Sequence, residues 1–127
     1  MNVVDSSGWL EYFAGGRNAL RFAPPLKDLE ALVVPSISIY EVFKVLLRES
    51  GDNAALQAVS AMQRGHVVDL TSRLAMSAAS LSLEYSMPMA DSIILASAIE
   101  YNATVWTQDV DFKGIENVKY FPKRKGK

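Results

Sequence analysis

The sequence predicts an α/β fold, an α/β/α sandwich in which helices cover both faces of a central parallel sheet of about five strands. Short β-prone runs recur along the chain, helical patterns separate most of them, and turn or capping residues lie between the two kinds of element. Strands that alternate with helices favour a parallel sheet buried on both faces. The 127 residues, 50% of them hydrophobic, predict one core and one domain over 1–127.

Five β-prone runs are predicted to be the strands. They are Asn2–Val4, Ala31–Pro35, His66–Leu70, Thr104–Thr107 and Val118–Phe121. The first is followed directly by Asp5, and the fourth is followed by Gln108 and Asp109. Two strands are therefore expected to end at a carboxylate.

The helices are predicted from apolar residues that recur with a period of 3.6 and from capping residues before them. The segments are Gly8–Phe13 capped by Ser6 or Ser7, Ile39–Glu49 capped by Ser36 or Ser38, Asn53–Arg64, a helix from Thr71 or Ser72 to Tyr85, and a helix after Pro88. In this last helix Ile94, Leu95, Ala98 and Ile99 form the predicted apolar face, and Asp91 lies in the first turn. Pro24 is expected to break the segment 17–29.

Composition excludes several classes of protein. The chain has no cysteine, so disulfide scaffolds, zinc–thiolate sites and thiol nucleophiles are excluded. No signal-like start and no bilayer-length apolar run is present, so a soluble cytoplasmic protein without membrane contact is expected. The net charge of −1 argues against binding polyanions by the overall field. A basic tail at 119–127 either contacts RNA phosphates or is simply solvated.

Four acids are expected to converge at one edge of the predicted sheet. Asp5 and Asp109 follow strands, Glu41 lies one helical turn beyond the second strand, and Asp91 begins a helix. The carboxyl ends of parallel strands lie at the same edge, where ligands bind at the point of reversed strand order. Clustered carboxylates repel one another unless a cation neutralises them, and oxygen ligands suit Mg²⁺ or Mn²⁺.

Three motifs resemble those of the PIN domain family, and within it the VapC-type toxins of toxin–antitoxin pairs. The motifs are VVDSS near the start, SISIYE in the middle and MADSIILASAIEYNATVWTQDVDF near the end, in the family's order and spacing. The resemblance covers essentially the whole chain. It implies a metal-dependent endoribonuclease that forms a homodimer, acts on RNA and is neutralised by a cognate antitoxin.

The resemblance also assigns site residues. The family's acidic quartet falls on Asp5, Glu41, Asp91 and Asp109, and its Ser/Thr before the last acid falls on Thr107. Asp111 matches a position where the family varies. Lys44, one turn beyond Glu41, is expected either to approach the scissile phosphate or to pair with Glu41.

Other interpretations of the same residues stay open at this point. Asp5 is equally typical of a helix cap, Asp91 of a helix start, Glu41 of a solvated helix face and Asp109 of a turn. Trp9, Tyr12, Phe13 and Tyr40 stack bases or, as we favour, pack in the core or at a homodimer contact.

Two other classes of protein compete. A receiver-like phosphoacceptor domain also gathers acids around Mg²⁺, but it needs an acidic pair after the first strand and a lysine after the last. Here Asp5 is unpaired, and Lys119 lies within a predicted strand. A catalytically inactive PIN-fold binding module would be indicated by loss of one quartet acid, and all four are present.

Overall fold

The computed structural model describes residues 1–124, and the last three residues of the predicted basic tail, 125–127, lie outside the described residues. Its strands are β1 (Asn2–Val4), β2 (Val33–Pro35), β3 (His66–Val68), β4 (Thr104–Thr107) and β5 (Val118–Tyr120). Its α-helices are α1 (Ser6–Ala14), α2 (Ala19–Lys27), α3 (Ser36–Ser50), α4 (Asp52–Met62), α5 (Ser72–Tyr85) and α6 (Met89–Glu100). Two 3₁₀ turns, Leu29–Ala31 and Val110–Phe112, complete the description.

All strand pairs in the sheet are parallel, which confirms the predicted α/β fold. β4 pairs with β1 on one side and with β5 on the other, and β2 pairs with β3. A single parallel bridge from Asn2 to Leu32 joins the two groups, so the strand order is β3-β2-β1-β4-β5. The chain runs outward from β1 to β3 and then returns to β4, so the order reverses between β1 and β4. This is the position at which open parallel sheets bind ligands.

Adjacent residues of β1 face opposite sides of the sheet, and each side has its own core. Val3 packs with Ile94 and Val105, whereas Val4 packs with Trp9 and Phe22. Helices α1 to α4 contribute to the core on the Val4 side, and α6 covers the Val3 side. This two-sided burial gives the predicted three-layer arrangement.

Helix α6 lies between the sheet and α5. Its residues 92–98 are all buried, and Ile93 packs against Leu74 of α5 while Ile94 packs against the sheet. The predicted apolar face was wrong at one position, because Ile99 is 61% exposed. A helix buried nearly all round carries no single apolar stripe for the pattern to reveal.

The start of α1 is fixed against β1 by a close approach that only glycine allows. A Cβ atom added to Gly8 would lie 2.6 Å from Val4 Cγ1 and 2.8 Å from Phe22 Cε1. Helix α1 therefore packs directly on the sheet and on α2 at the point where β1 ends, which sets the position of Asp5.

Two of the predicted helix starts were wrong in their capping residue. Asp5 itself caps α1 by accepting a hydrogen bond from the Gly8 amide, and α3 begins directly after Pro35 without a side-chain cap. The prediction for α5 is confirmed, since the Thr71 side chain accepts from the Leu74 amide. Hydroxyl residues and aspartate cap helices equally well, so sequence alone does not choose between neighbouring candidates.

The predicted break at the proline pair was also wrong. Helix α2 continues through Pro24 and Pro25 to Lys27, with Phe22 and Leu26 buried on its inner side. Packing of these side chains against the core compensates for the backbone hydrogen bonds that the prolines remove. Among residues 1–124, no helix has both the length and the apolar character that crossing a membrane requires.

Candidate metal centre

Three carboxylates meet where the strand order reverses. Asp5 follows β1, Asp109 lies two residues beyond the neighbouring β4, and Asp91 lies in the first turn of α6. One oxygen from each can be chosen so that all three atoms lie within 4.8 Å of one another. The edge of the sheet and the start of one helix thus bring together three acids that are up to about a hundred residues apart in sequence.

Asp5 is 1% exposed and serves both the helix and the cluster. Its Oδ1 accepts hydrogen bonds from the Gly8 amide at 3.0 Å and from Ser7 Oγ at 2.7 Å. Burial raises the pKa of Asp5 to about 6, although the hydrogen bonds from Ser7, Thr107 and Gly8 favour the charged form. The sequence left open whether Asp5 caps a helix or belongs to the acidic cluster, and the structure shows that it does both.

Asp91 has the more strongly perturbed carboxyl group. Partial burial, the negative charges of Asp109 and Asp5, and a hydrogen bond with Asp111 together raise the pKa of Asp91 to about 8. Without a cation, this carboxyl group holds a proton at neutral pH. The cluster is thus electrostatically unfavourable in its fully ionised form.

The segment after β4 aims Asp109 through a chain of local hydrogen bonds. Oγ1 of the buried Thr107 accepts a hydrogen bond of 2.8 Å from the Asp109 amide. Asp109 Oδ1 in turn accepts a hydrogen bond of 2.9 Å from the Asp111 amide. Asp109 thereby starts the 3₁₀ turn Val110–Phe112. Asp111 is itself exposed and lies beside Asp91, so the structure brings it to the rim of the cluster.

Glu41 lies outside the group of three carboxylates that converge within 4.8 Å. Its Oε1 accepts a hydrogen bond of 2.5 Å from Ser6 Oγ, the residue next to Asp5, so it flanks the cluster through α1. Lys44 does not pair with Glu41. In the described part of the chain the ion pairs are Arg48–Glu49 and Arg73–Glu100, and Lys44 Nζ instead lies 5.5 Å from the Tyr40 ring centre.

Sequence reasoning missed three residues that hold the site together. Ser6 and Ser7 were treated as alternative helix caps, yet they bind Glu41 and Asp5 respectively. Gln108 was assigned no role, yet its amide donates to Ser7 Oγ at 3.3 Å. Two hydroxyls directly after a strand-ending aspartate were the available signal, because they place donors beside a buried carboxylate.

The donor set fits a hard divalent cation. Three carboxylates converge, burial and mutual repulsion raise the pKa of two of them, and neither of the ion pairs within residues 1–124 involves a cluster acid. Oxygen donors of this kind suit Mg²⁺ or Mn²⁺, whereas the cysteine-free sequence has no thiolate to favour softer metals.

The fold and the cluster define an α/β protein with an acidic site at the switch point of a parallel sheet. The family model for the PIN domain matches residues 3–118, so the chain belongs to the PIN domain family. This confirms the family resemblance drawn from the three sequence motifs. The receiver-like interpretation is therefore wrong. No curated protein sequence matches the chain.

Solved structures share the fold at low sequence identity. A toxin–antitoxin complex from Klebsiella pneumoniae has a chain with a TM-score of 0.79 and 22% identity, covering 97% of this chain and 100% of that one. The Mycobacterium tuberculosis toxin VapC20, described as cleaving the sarcin-ricin loop, has a TM-score of 0.74 and 19% identity over 91% of this chain and 95% of that one. The Rickettsia felis VapBC2 complex bound to a promoter DNA fragment has a chain with a TM-score of 0.72 and 16% identity, covering 95% of this chain and 97% of that one.

The raised pKa values predict how stability depends on pH. Because Asp5 and Asp91 hold protons more tightly in the folded than in the unfolded chain, the metal-free fold loses stability progressively as pH rises above about 4, and the loss is complete for Asp5 above about 6 and for Asp91 above about 8. We expect Asp91→Asn to flatten this loss, measured as the melting temperature in EDTA between about pH 5 and about pH 8. Asp69→Asn, at an exposed acid after β3, is the control. Parallel pH profiles for Asp91→Asn and the wild type would contradict the assignment.

Proposed function

We propose that this protein is a Mg²⁺- or Mn²⁺-dependent endoribonuclease, the toxin component of a type II toxin–antitoxin system, acting in the cytoplasm as one PIN-like domain over residues 1–127. The observation that carries the proposal is the convergence of Asp5, Asp91 and Asp109 within 4.8 Å at the switch point of a PIN fold. The likeness to VapC20, described as a toxin that cleaves the sarcin-ricin loop, supports the choice of RNA as substrate.

In this proposal Asp5, Asp91 and Asp109 hold the cation. When bound, the cation polarises a phosphoryl oxygen and lowers the pKa of the attacking water. Glu41 is held beside the cluster by Ser6. It would bind the cation directly or through water, and it would orient or deprotonate the attacking water.

Other residues of the proposed site position the acids or meet the substrate. Thr107 fixes Asp109 by accepting its amide, and the exposed Asp111 lies at the rim where a substrate phosphate would enter. Lys44 is exposed on α3 and lies over the Tyr40 ring, so its ammonium is available to a phosphate. The basic residues from Lys119 to Arg124 lie on and after β5, beside β4, and supply a further positive surface for RNA.

The alternative function is a catalytically inactive PIN-fold binding module. Retention of all four quartet acids and of Thr107 argues against it. An inactive module would have no need for three converging carboxylates that repel one another. Incubation of the purified chain with structured RNAs in Mg²⁺, Mn²⁺ or EDTA separates the two functions, since only the nuclease cleaves, and only with metal.

Substitution of the cluster acids should abolish cleavage without unfolding the protein. We expect Asp5→Asn and Asp109→Asn each to lower the Mn²⁺-dependent cleavage rate at least about 100-fold, since even groups behind metal ligands are worth about 10- to 100-fold. Asparagine still caps helices, and removing a like charge should leave metal-free stability equal or slightly higher.

The matched control is Asp69→Asn, because Asp69 also follows a strand of the sheet but lies outside the cluster. It should cleave like the wild type. Wild-type cleavage by Asp5→Asn or Asp109→Asn would show that the assigned site is wrong.

A cognate antitoxin is the proposed partner, and the early helices offer a surface for it. An apolar groove of about 630 Å³ lies between α1, α3 and α4, with Leu10, Phe13 and Val45 in its lining. A second groove of about 270 Å³ shares Phe13 and continues toward α2. A disordered antitoxin tail that folds into an apolar groove gains affinity by burying apolar area. The likeness to chains of toxin–antitoxin complexes supports this partner.

The grooves are lined by the later part of α1, the helix that Asp5 caps, so a tail seated in them could extend along α1 to the acids. An antitoxin arginine inserted among the acids, or a carboxylate directed at Lys44, would displace the cation or the phosphate. The antitoxin would therefore inhibit cleavage by occluding the site, and it would compete with both the metal and RNA.

We expect Val45→Lys to weaken binding of the antitoxin that copurifies on co-expression by roughly tenfold or more, because a charge in the groove is desolvated by the tail. Cleavage by the free variant should stay unchanged, since Val45 is not a site residue. Leu20→Lys, at an 86% exposed position on α2, is the control. Occlusion is excluded if a saturating antitoxin leaves Mn²⁺ affinity and cleavage unaltered.

We also propose a homodimer, although the residues first expected at its contact were partly wrong. Trp9 is 3% exposed and stacks on Phe13 with ring centres 5.6 Å apart, so it belongs to the core. Helix α5 instead exposes Met76 (69%) and Leu83 (86%), which are seven residues apart and share one side of the helix. Exposed apolar residues on one helix face favour a symmetric contact there.

Sedimentation velocity at micromolar concentration tests the homodimer. We expect the wild type to sediment as a dimer and Leu83→Lys to raise the dimer dissociation constant at least about tenfold, as loss of a central apolar contact does. Leu20→Lys should remain dimeric. A wild type that sediments only as a monomer would contradict the proposal.

A further inference from the structure

A polar network centred on Asn18 and Glu11 holds Gln108, the residue that precedes Asp109. Asn18, at 0% exposure, donates from Nδ2 to Gln108 Oε1 at 2.9 Å and to the Pro122 carbonyl oxygen at 3.0 Å. The Asn18 amide donates to Glu11 Oε2 at 2.7 Å, and Gln108 Nε2 donates to Glu11 Oε1 at 3.3 Å. Gln108, 7% exposed, is thereby held at both ends of its side-chain amide.

The location of Gln108 makes this network relevant to the site. It lies between Thr107 and Asp109, and its own amide donates to Ser7 Oγ, which in turn donates to Asp5. A side chain fixed at both ends leaves the backbone at Gln108 little rotational freedom. Because Asp109 is the next residue, the direction of its carboxylate depends on that backbone.

The network is also costly, which argues that stability alone does not explain it. Asn18 Oδ1 is buried without a hydrogen-bond partner, and the partly buried Glu11 carboxylate takes part in neither of the ion pairs found in the described chain. Unpaired buried acceptors reduce stability, and an apolar residue of similar size would avoid this cost.

We infer that Gln108 is a positioning residue for the cation site, locked by Glu11 and Asn18 so that Asp109 faces Asp5. The inference rests on the proposed function, because it assigns Gln108 a role in binding the cation held by Asp5, Asp91 and Asp109. Gln108 does not touch the cation. It sets the geometry of the acid that does.

The test is the affinity for Mn²⁺ alone, measured by calorimetric titration of the folded protein without RNA. Gln108→Met keeps the length of the side chain but removes its bonds to Glu11 and Asn18, and we expect the Mn²⁺ dissociation constant to rise roughly tenfold. Asn2→Ala is the matched control, since it removes the 2.9 Å hydrogen bond that Trp106 Nε1 donates to Asn2 Oδ1, and Asn2 lies at the start of β1, the end away from Asp5. The control should change stability but leave Mn²⁺ affinity within about twofold of the wild type.

A reciprocal exchange provides rescue and covers the case in which Gln108→Met fails to fold. Gln108→Glu alone faces the Glu11 carboxylate with a second negative charge and should weaken Mn²⁺ binding roughly tenfold by disturbing the segment. Adding Glu11→Gln restores a donor and acceptor at each contact, and the double variant should return to within about threefold of wild-type affinity.

The outcomes separate this inference from the proposed function. A wild type that binds no Mn²⁺ overturns the cation site and with it the proposed function. A wild type that binds Mn²⁺ while folded Gln108→Met and Gln108→Glu bind it equally well overturns the role of Gln108 alone. Loss of Mn²⁺ affinity in Gln108→Glu with recovery in the double variant supports it, because the affinity then follows the contact between positions 11 and 108 and not the residue type at 108 alone.

Discussion

Repulsion between carboxylates at the junction of β1, β4 and α6 is the constraint on which the rest of the site depends. Three acids within 4.8 Å, with the pKa of Asp91 raised to about 8 by burial and by its acidic neighbours, would separate if they stood on flexible segments. They stay together because each begins or follows an element that is packed into the core. The buried α6 holds Asp91, and the close approach at Gly8 holds the helix that Asp5 caps.

The hydrogen bonds around the cluster do not all act in one direction. Ser7 and the Gly8 amide donate to Asp5 and favour its charged form, which opposes the effect of burial. The hydrogen bond with Asp111 acts the other way and raises the pKa of Asp91. Within residues 1–124 neither ion pair involves a cluster acid, and Asp91 holds a proton at neutral pH without a cation, so a divalent cation binds the cluster in competition with that proton.

Two surfaces lie on different sides of this site and serve different partners in the proposed function. The apolar grooves are lined by the later part of α1, one with α3 and α4 and the other with α2 and α4, and there a folded tail would be recognised by shape. The basic and aromatic segment around β5 lies beside β4, where Lys119 Nζ is 4.4 Å from the Trp106 ring centre. A net charge of −1 therefore conceals a local separation of acidic, apolar and basic surface.

The sequence by itself determined the fold class, the positions of the five strands, and the acids Asp5 and Asp109 that follow two of them. It could do so because the periods of strands and helices, and the residues that end them, are local features of the sequence. It also pointed to Asp5, Asp91 and Asp109 as a group, since the ends of parallel strands share an edge. Only the tertiary structure decided that helix α2 passes through Pro24, that Trp9 is core and that Glu41 stands apart, bound to Ser6. The Asn18–Gln108 contact joins residues ninety positions apart, and no local pattern records which distant polar groups will meet once packing closes the core.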